Sequence, residues 1–182
     1  MTIIARRTAI GAALLAASLS VAPLAHAQDQ ATAPANATAP DAPFVDPSVP
    51  VMSPAQAAGA TPIAGDAVYK AFHEEAGIKR VVHDMLKRVT TDPRIERHFE
   101  GVNLHRLSKL LAEEFCYLAG GPCQYTGDDI KTSHQGLEIT DSDFNALVED
   151  LQKAMDQEGV PFPAQNRLLA NLAPMQRMVV TK

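Results

Sequence analysis

Apolar side chains recur at helical spacing in four stretches of the chain. Ile78, Val81, Val82, Met85, Leu86 and Val89 fall three or four residues apart and share one helical face. Asp92-Pro93 closes that stretch, because the residue before a proline is driven out of helical geometry. Leu104, Leu107, Leu111, Phe115 and Leu118 form a second stripe, stopped by Gly120-Gly121-Pro122. A third begins at Thr140, where Thr140 and Asp143 approximate a capping box, and carries Phe144, Leu147, Val148, Leu151 and Met155. Gly159 and Pro161 end it. The last starts near Pro163, a residue suited to a first helical turn, and runs through Leu168, Leu169, Leu172 and Val179, with a kink expected at Pro174. Between the second and third stripes, Tyr125 to Gly136 reads as a loop holding about two helical turns. No stretch alternates apolar and polar residues long enough for a sheet, so the pattern predicts an all-α domain.

The N-terminal part follows other rules. Arg6 and Arg7 precede an apolar run from Ala9 to Ala22, and Ala25-His26-Ala27 follows it. This is the three-part pattern of a secretory signal peptide over residues 1–27, and it predicts a periplasmic or secreted protein. The run is short for a membrane span, which needs about 20 apolar residues, so no stable span is expected after cleavage. The Arg6-Arg7 pair alone is a weak sign of twin-arginine export. Residues 28–66 are rich in Ala and Pro and contain no Lys or Arg. Ala buries little surface and Pro interrupts helix and sheet, so this segment reads as a flexible tether. Residues 67–182 are left to fold and to act.

Composition narrows the function classes. The chain of 182 residues carries a formal net charge of −5. A nucleic-acid partner would call for a basic patch, so none is expected. Two Cys cannot staple a small fold. Cys116 and Cys123 flank the Gly120-Gly121-Pro122 turn, and either a local disulfide or two small buried thiols would suit them.

Several short motifs then occur in a telling order: Asp92-Pro93-Arg94-Ile95, His98-Phe99, Gly120-Gly121-Pro122, Tyr125-Thr126-Gly127, His134-Gln135-Gly136 and Ile139-Thr140. In this order and spacing the chain resembles a group I truncated haemoglobin, from about Tyr69 to Val180. The resemblance implies a two-over-two helical sandwich that binds haem b, with His134 as the proximal ligand of the iron. It also implies that Phe99 wedges against the porphyrin. Leu107, Leu111 and Phe115 would line the opposite, distal face, with Leu86 joining them from another helix. Arg106 and Tyr125 are candidate partners of the haem propionates, since cations and phenols suit carboxylates. No Cys-x-x-Cys-His is present, so the usual covalent haem attachment is excluded.

The chain also departs from the pattern. Many relatives carry Tyr and Gln where Leu86 and Leu111 stand here, and these donate hydrogen bonds to oxygen. Some use a second axial His, where this chain has Leu110. The distal side therefore reads as open and apolar, with His83 the one candidate polar intruder. A hydrogen bond is worth about 0.5–1.5 kcal/mol net, so without a donor oxygen should be held weakly, whereas carbon monoxide and nitric oxide depend less on one. His73 and Glu74 replace a usual Gly-Gly pair, and Glu114 is expected at the pocket rim beside a cation.

The function implied is reversible binding of a diatomic gas: oxygen, nitric oxide or carbon monoxide. A haem enzyme that removes nitric oxide or peroxide is the alternative; dioxygenation would also need an unidentified reductase, and peroxide chemistry a distal acid–base group. A haem-free helical module with an apolar groove is a third reading.

Overall fold

Each of the four apolar stripes forms a helix. The computed structural model describes residues 52–182. The expected signal peptide and most of the expected tether lie outside the described residues. In chain order the elements are α1 (Pro54–Ala57), α2 (Ala67–Ala71), α3 (Glu74–Val89) and a 3₁₀ turn at Glu96–Phe99. Then follow α4 (Leu104–Leu118), α5 (Ile130–His134), α6 (Asp141–Gln157) and α7 (Phe162–Leu172). A 3₁₀ turn at Ala173–Met175 and α8 (Gln176–Val179) complete the domain. No strand occurs among the described residues.

Helix α3 packs against both α4 and α6, and α7 packs against α4 and α6. Two helix pairs thus cross with their stripes turned inward. Ile78, Val81, Val82, Met85 and Val89 of α3 are buried there with Phe115 and Leu118 of α4, Leu151 and Met155 of α6 and Leu168 of α7. The tips of these helices follow capping rules. Asn103 accepts the Arg106 N–H at 3.0 Å to start α4. The expected capping box of α6 is present: Thr140 Oγ1 accepts the Asp143 N–H at 3.3 Å, and Thr140 N–H donates back to Asp143 Oδ2 at 3.0 Å. The Asp-Pro-Arg motif is a brace: Arg94 pairs with Asp92 at 2.6 Å and reaches Glu149 on α6 at 2.7 Å.

The structure sharpens the sequence expectations in three places. The last apolar stripe is interrupted at Pro174, where the kink was expected: α7 stops at Leu172, Pro174 sits in the 3₁₀ turn at Ala173–Met175, and α8 resumes at Gln176. A ring nitrogen without a hydrogen cannot continue the ladder. The tether does not extend to residue 66. Ala58 is wholly buried, Ile63 N–H donates to Leu118 O at 2.9 Å, and Asn171 Nδ2 donates to Thr61 O at 2.9 Å. Carbonyls left over at the end of α4 give this Ala/Pro segment partners that its own composition could not forecast. Finally, α3 begins abruptly. His73 and Glu74 both adopt φ of 59°, a left-handed conformation that costs most residues energy. Gly77 is needed one turn on, since a Cβ there would lie 1.9 Å from Phe72 O.

Cys116 and Cys123 form a disulfide, with Cα atoms 5.7 Å apart. It ties the end of α4 to the chain after the Gly-Gly-Pro turn. No helix of the described residues is long and apolar enough to cross a membrane.

Candidate functional site

The site is built around α5, a single short helix. Asp129 starts it by accepting the Thr132 N–H at 2.9 Å, and Gly136, at φ 78°, turns the chain away just after it. Its last residue is His134. The Nδ1 of His134 lies 2.7 Å from Ile130 O. A carbonyl can only accept, so Nδ1 carries the hydrogen, and the lone pair of the neutral form of the ring falls on Nε2. Fixing the tautomer in this way is how proteins prepare an imidazole to ligate a metal.

His134 borders two adjoining cavities, of about 150 and 370 Å³. Both are lined by Phe99, Leu107, Phe144, Leu147 and Val179 as well. The smaller one continues past Leu111, Glu114 and Phe115 of α4 and Met85 of α3. The larger one ends at a polar group, where Asp143 meets Arg97 at 2.7 Å and His98 at 3.3 Å. Hydrogen bonds from Thr140, and from Arg97 and His98 after it, hold the Asp143 carboxyl far below the usual carboxylate range. Together the two spaces form a largely apolar slot between α4, α5 and α6, with the His134 imidazole at the wall of both and His98 at the polar end of the larger one. Among the described residues no group of three His, Cys, Asp or Glu side chains could hold a bare metal ion.

The family profile for bacterial-like globins matches residues 67–181. The chain belongs to the bacterial-like globin family. Its relatives include a group 1 truncated hemoglobin of Mycolicibacterium paratuberculosis, 31% identical over 114 residues, which span 63% of this chain and 84% of that one. A group 1 truncated hemoglobin of Tetrahymena thermophila is 27% identical over 51% of this chain and 77% of its own length. Among solved structures, the truncated hemoglobin of Tetrahymena pyriformis in its Fe(III) form superposes with a TM-score of 0.61. That match, at 23% identity, covers 63% of this chain and 98% of the other. The fold is the two-over-two truncated globin fold.

Within this globin the expected site residues divide into two sets. His134, Phe99, Leu107, Leu111 and Phe115 meet around the slot. Leu86, Arg106 and Tyr125 are not part of its lining. Leu86 is buried, but its neighbour Met85 faces the cavity, because successive helical residues point about 100° apart. Arg106 is exposed, with its guanidinium 4.0 Å from Asp128. Tyr125 donates its hydroxyl hydrogen to Asp128 O at 2.9 Å. Burial first, and the negative charge of Glu114 after it, push the Tyr125 phenol up to about 12, so it stays a donor. His83 is exposed beside Lys79, Arg80 and Lys87 in a polar surface depression, away from the slot.

Glu114 corrects the sequence expectation most sharply. It does not sit at the rim beside a cation; it is 6% exposed and lines the smaller cavity. Burial alone pushes its carboxyl up to about 8. Phe144 and Leu147 of α6 were legible as an apolar face, but spacing alone does not show that this face lines the slot. Val179 was legible only as the end of the last stripe, and Ile130 and Met175 stood outside every stripe.

Proposed function

We propose that this globin seats haem b in the slot between α4 and α5 and reversibly binds a diatomic gas in an oxidising, extracytoplasmic compartment. The observation that carries the reading is His134, whose Nδ1 is spent on Ile130 O and whose Nε2 is left bare beside an apolar cavity. A flat hydrophobic ring system suits such a slot, and no other imidazole shares both spaces. When bound, haem would supply an iron with one ligand from His134 and one position for a gas. Phe99, Leu107 and Leu147 would hold the ring by apolar contact. Leu111, Phe115 and Met85 would keep water from the gas side. An unidentified reductase would keep the iron able to bind gas.

The export pattern of residues 1–27 and the Cys116–Cys123 bridge support the extracytoplasmic part of the reading, since such bridges persist in oxidising compartments. The surface position of His83 removes the one imidazole that the sequence offered for peroxide chemistry.

Absorption spectra of the purified chain, oxidised, reduced and with carbon monoxide, test the reading. A Soret band that shifts with each treatment is expected, and His134→Ala should abolish or displace it. A colourless chain that takes up no added haem would overturn it.

A further inference from the structure

The gas side of the slot holds one polar side chain. Leu111 and Phe115 flank Glu114 on the same face of α4, and Met85, Val148 and Leu151 approach from α3 and α6. None of these can accept or donate a hydrogen bond. Desolvation alone governs the carboxyl, with no ion pair or hydrogen bond opposing it. A carboxyl left without partners in an apolar cavity keeps its proton, as the ionised form there is far costlier. A protonated carboxyl is a donor. His134 lines the cavity from α5 and Glu114 from α4, so both side chains bound the space a ligand would occupy.

We propose that Glu114 is the ligand-positioning donor of this globin, a carboxylic acid that hydrogen-bonds a gas held opposite His134. The inference rests on the haem reading above and deepens it. It reverses the expectation of weak oxygen retention: Leu86 and Leu111 donate nothing, but Glu114, one turn on from Leu111, takes over the task. The ligand class is a diatomic that carries partial negative charge when held, oxygen before carbon monoxide. Other charged or titratable groups face Glu114 from few directions. Tyr125 approaches from the loop after α4, and its hydroxyl is committed to Asp128 O. His134 faces the cavity from α5, and α3 and α6 present only apolar side chains to it. On α4 itself, Glu113 turns outward to Lys109 and Thr126.

Oxygen release from the haem-loaded chain, followed by stopped flow at pH 6 and pH 9.5, tests this. Wild type should release slowly at pH 6 and roughly tenfold or more faster at pH 9.5, where the carboxyl has lost its hydrogen. Glu114→Gln keeps a donor and should be slow at both values; Glu114→Leu should be fast at both. The haem-free chain gives a second reading: the infrared carbonyl band of a protonated acid should persist at neutral pH and vanish in Glu114→Gln. Wild-type release rates in Glu114→Leu, or a band absent at neutral pH, would overturn the inference alone. A chain that takes up no haem would remove the haem reading and this inference with it.

Discussion

Glu114 sets a conflict between stability and function within one side chain. An acid whose folded value is raised binds its proton more tightly folded than unfolded. Its stabilising share is complete below about 4.5 and is lost as pH rises to about 8. Equilibrium urea unfolding of the haem-free chain should therefore show stability falling across that window. Glu114→Gln should flatten the fall, and Glu114→Leu should be more stable than wild type by about 2 kcal/mol at pH 8 and by less at pH 5. An unchanged pH slope in either variant would show the carboxyl to be solvated. This residue was visible in the sequence as an acid within an apolar stripe. Its position was misjudged because helical spacing gives an angle around the axis, not the distance to the nearest water. His134 and Phe99 were legible because the short motifs His134-Gln135-Gly136 and His98-Phe99 hold them in a recognisable order along the chain. Leu86 and Met85 differ only in rotation about α3, a distinction that a contact stripe of six residues does not resolve.

At the scale of elements, the caps and breakers forecast by composition largely form. Thr140 and Asp143 close their box, and α3 stops at Val89, shortly before Asp92-Pro93. Secondary structure was legible because these signals are local. The entry to α3 is where local rules are broken. His73 and Glu74 hold left-handed backbone without being glycine. Relieving that conformation at one residue returns about 1–2 kcal/mol, against about 0.5–1 kcal/mol for the greater freedom of glycine in the unfolded chain. His73→Gly should thus gain about 0.5–1 kcal/mol and raise the thermal midpoint by a few degrees. Gly77→Ala should do the opposite, because its Cβ would press on Phe72 O. A His73→Gly midpoint at or below that of wild type would mean that the histidine side chain compensates the strain by contacts of its own.

For the whole molecule, the boundary drawn from composition at residue 66 missed a structural backing for the site. Ala58 is wholly buried, and a Cβ on Gly59 would lie 3.0 Å from Ile130, Met175 and Met178. Ile130 and Met175 also line the cavity beside His134. Residues 53–66 thus hold the rear of α5 in place while α4 and α6 shape its front. Such a role is long-range, and a single chain's Ala/Pro content carries no trace of it. Removing the segment would expose Ile130 and Met175 and unpair Leu118 O and the Asn171 side chain. Loss of one or two buried apolar contacts and two hydrogen bonds amounts to about 2–4 kcal/mol. A chain of residues 67–182 should therefore unfold at lower urea than one of residues 52–182, although both span the whole family match. It should also take up haem less tightly, since α5 would lose its support. Equal urea midpoints and equal haem retention would show that the backing is passive, and that the globin domain is self-sufficient from Ala67 onward.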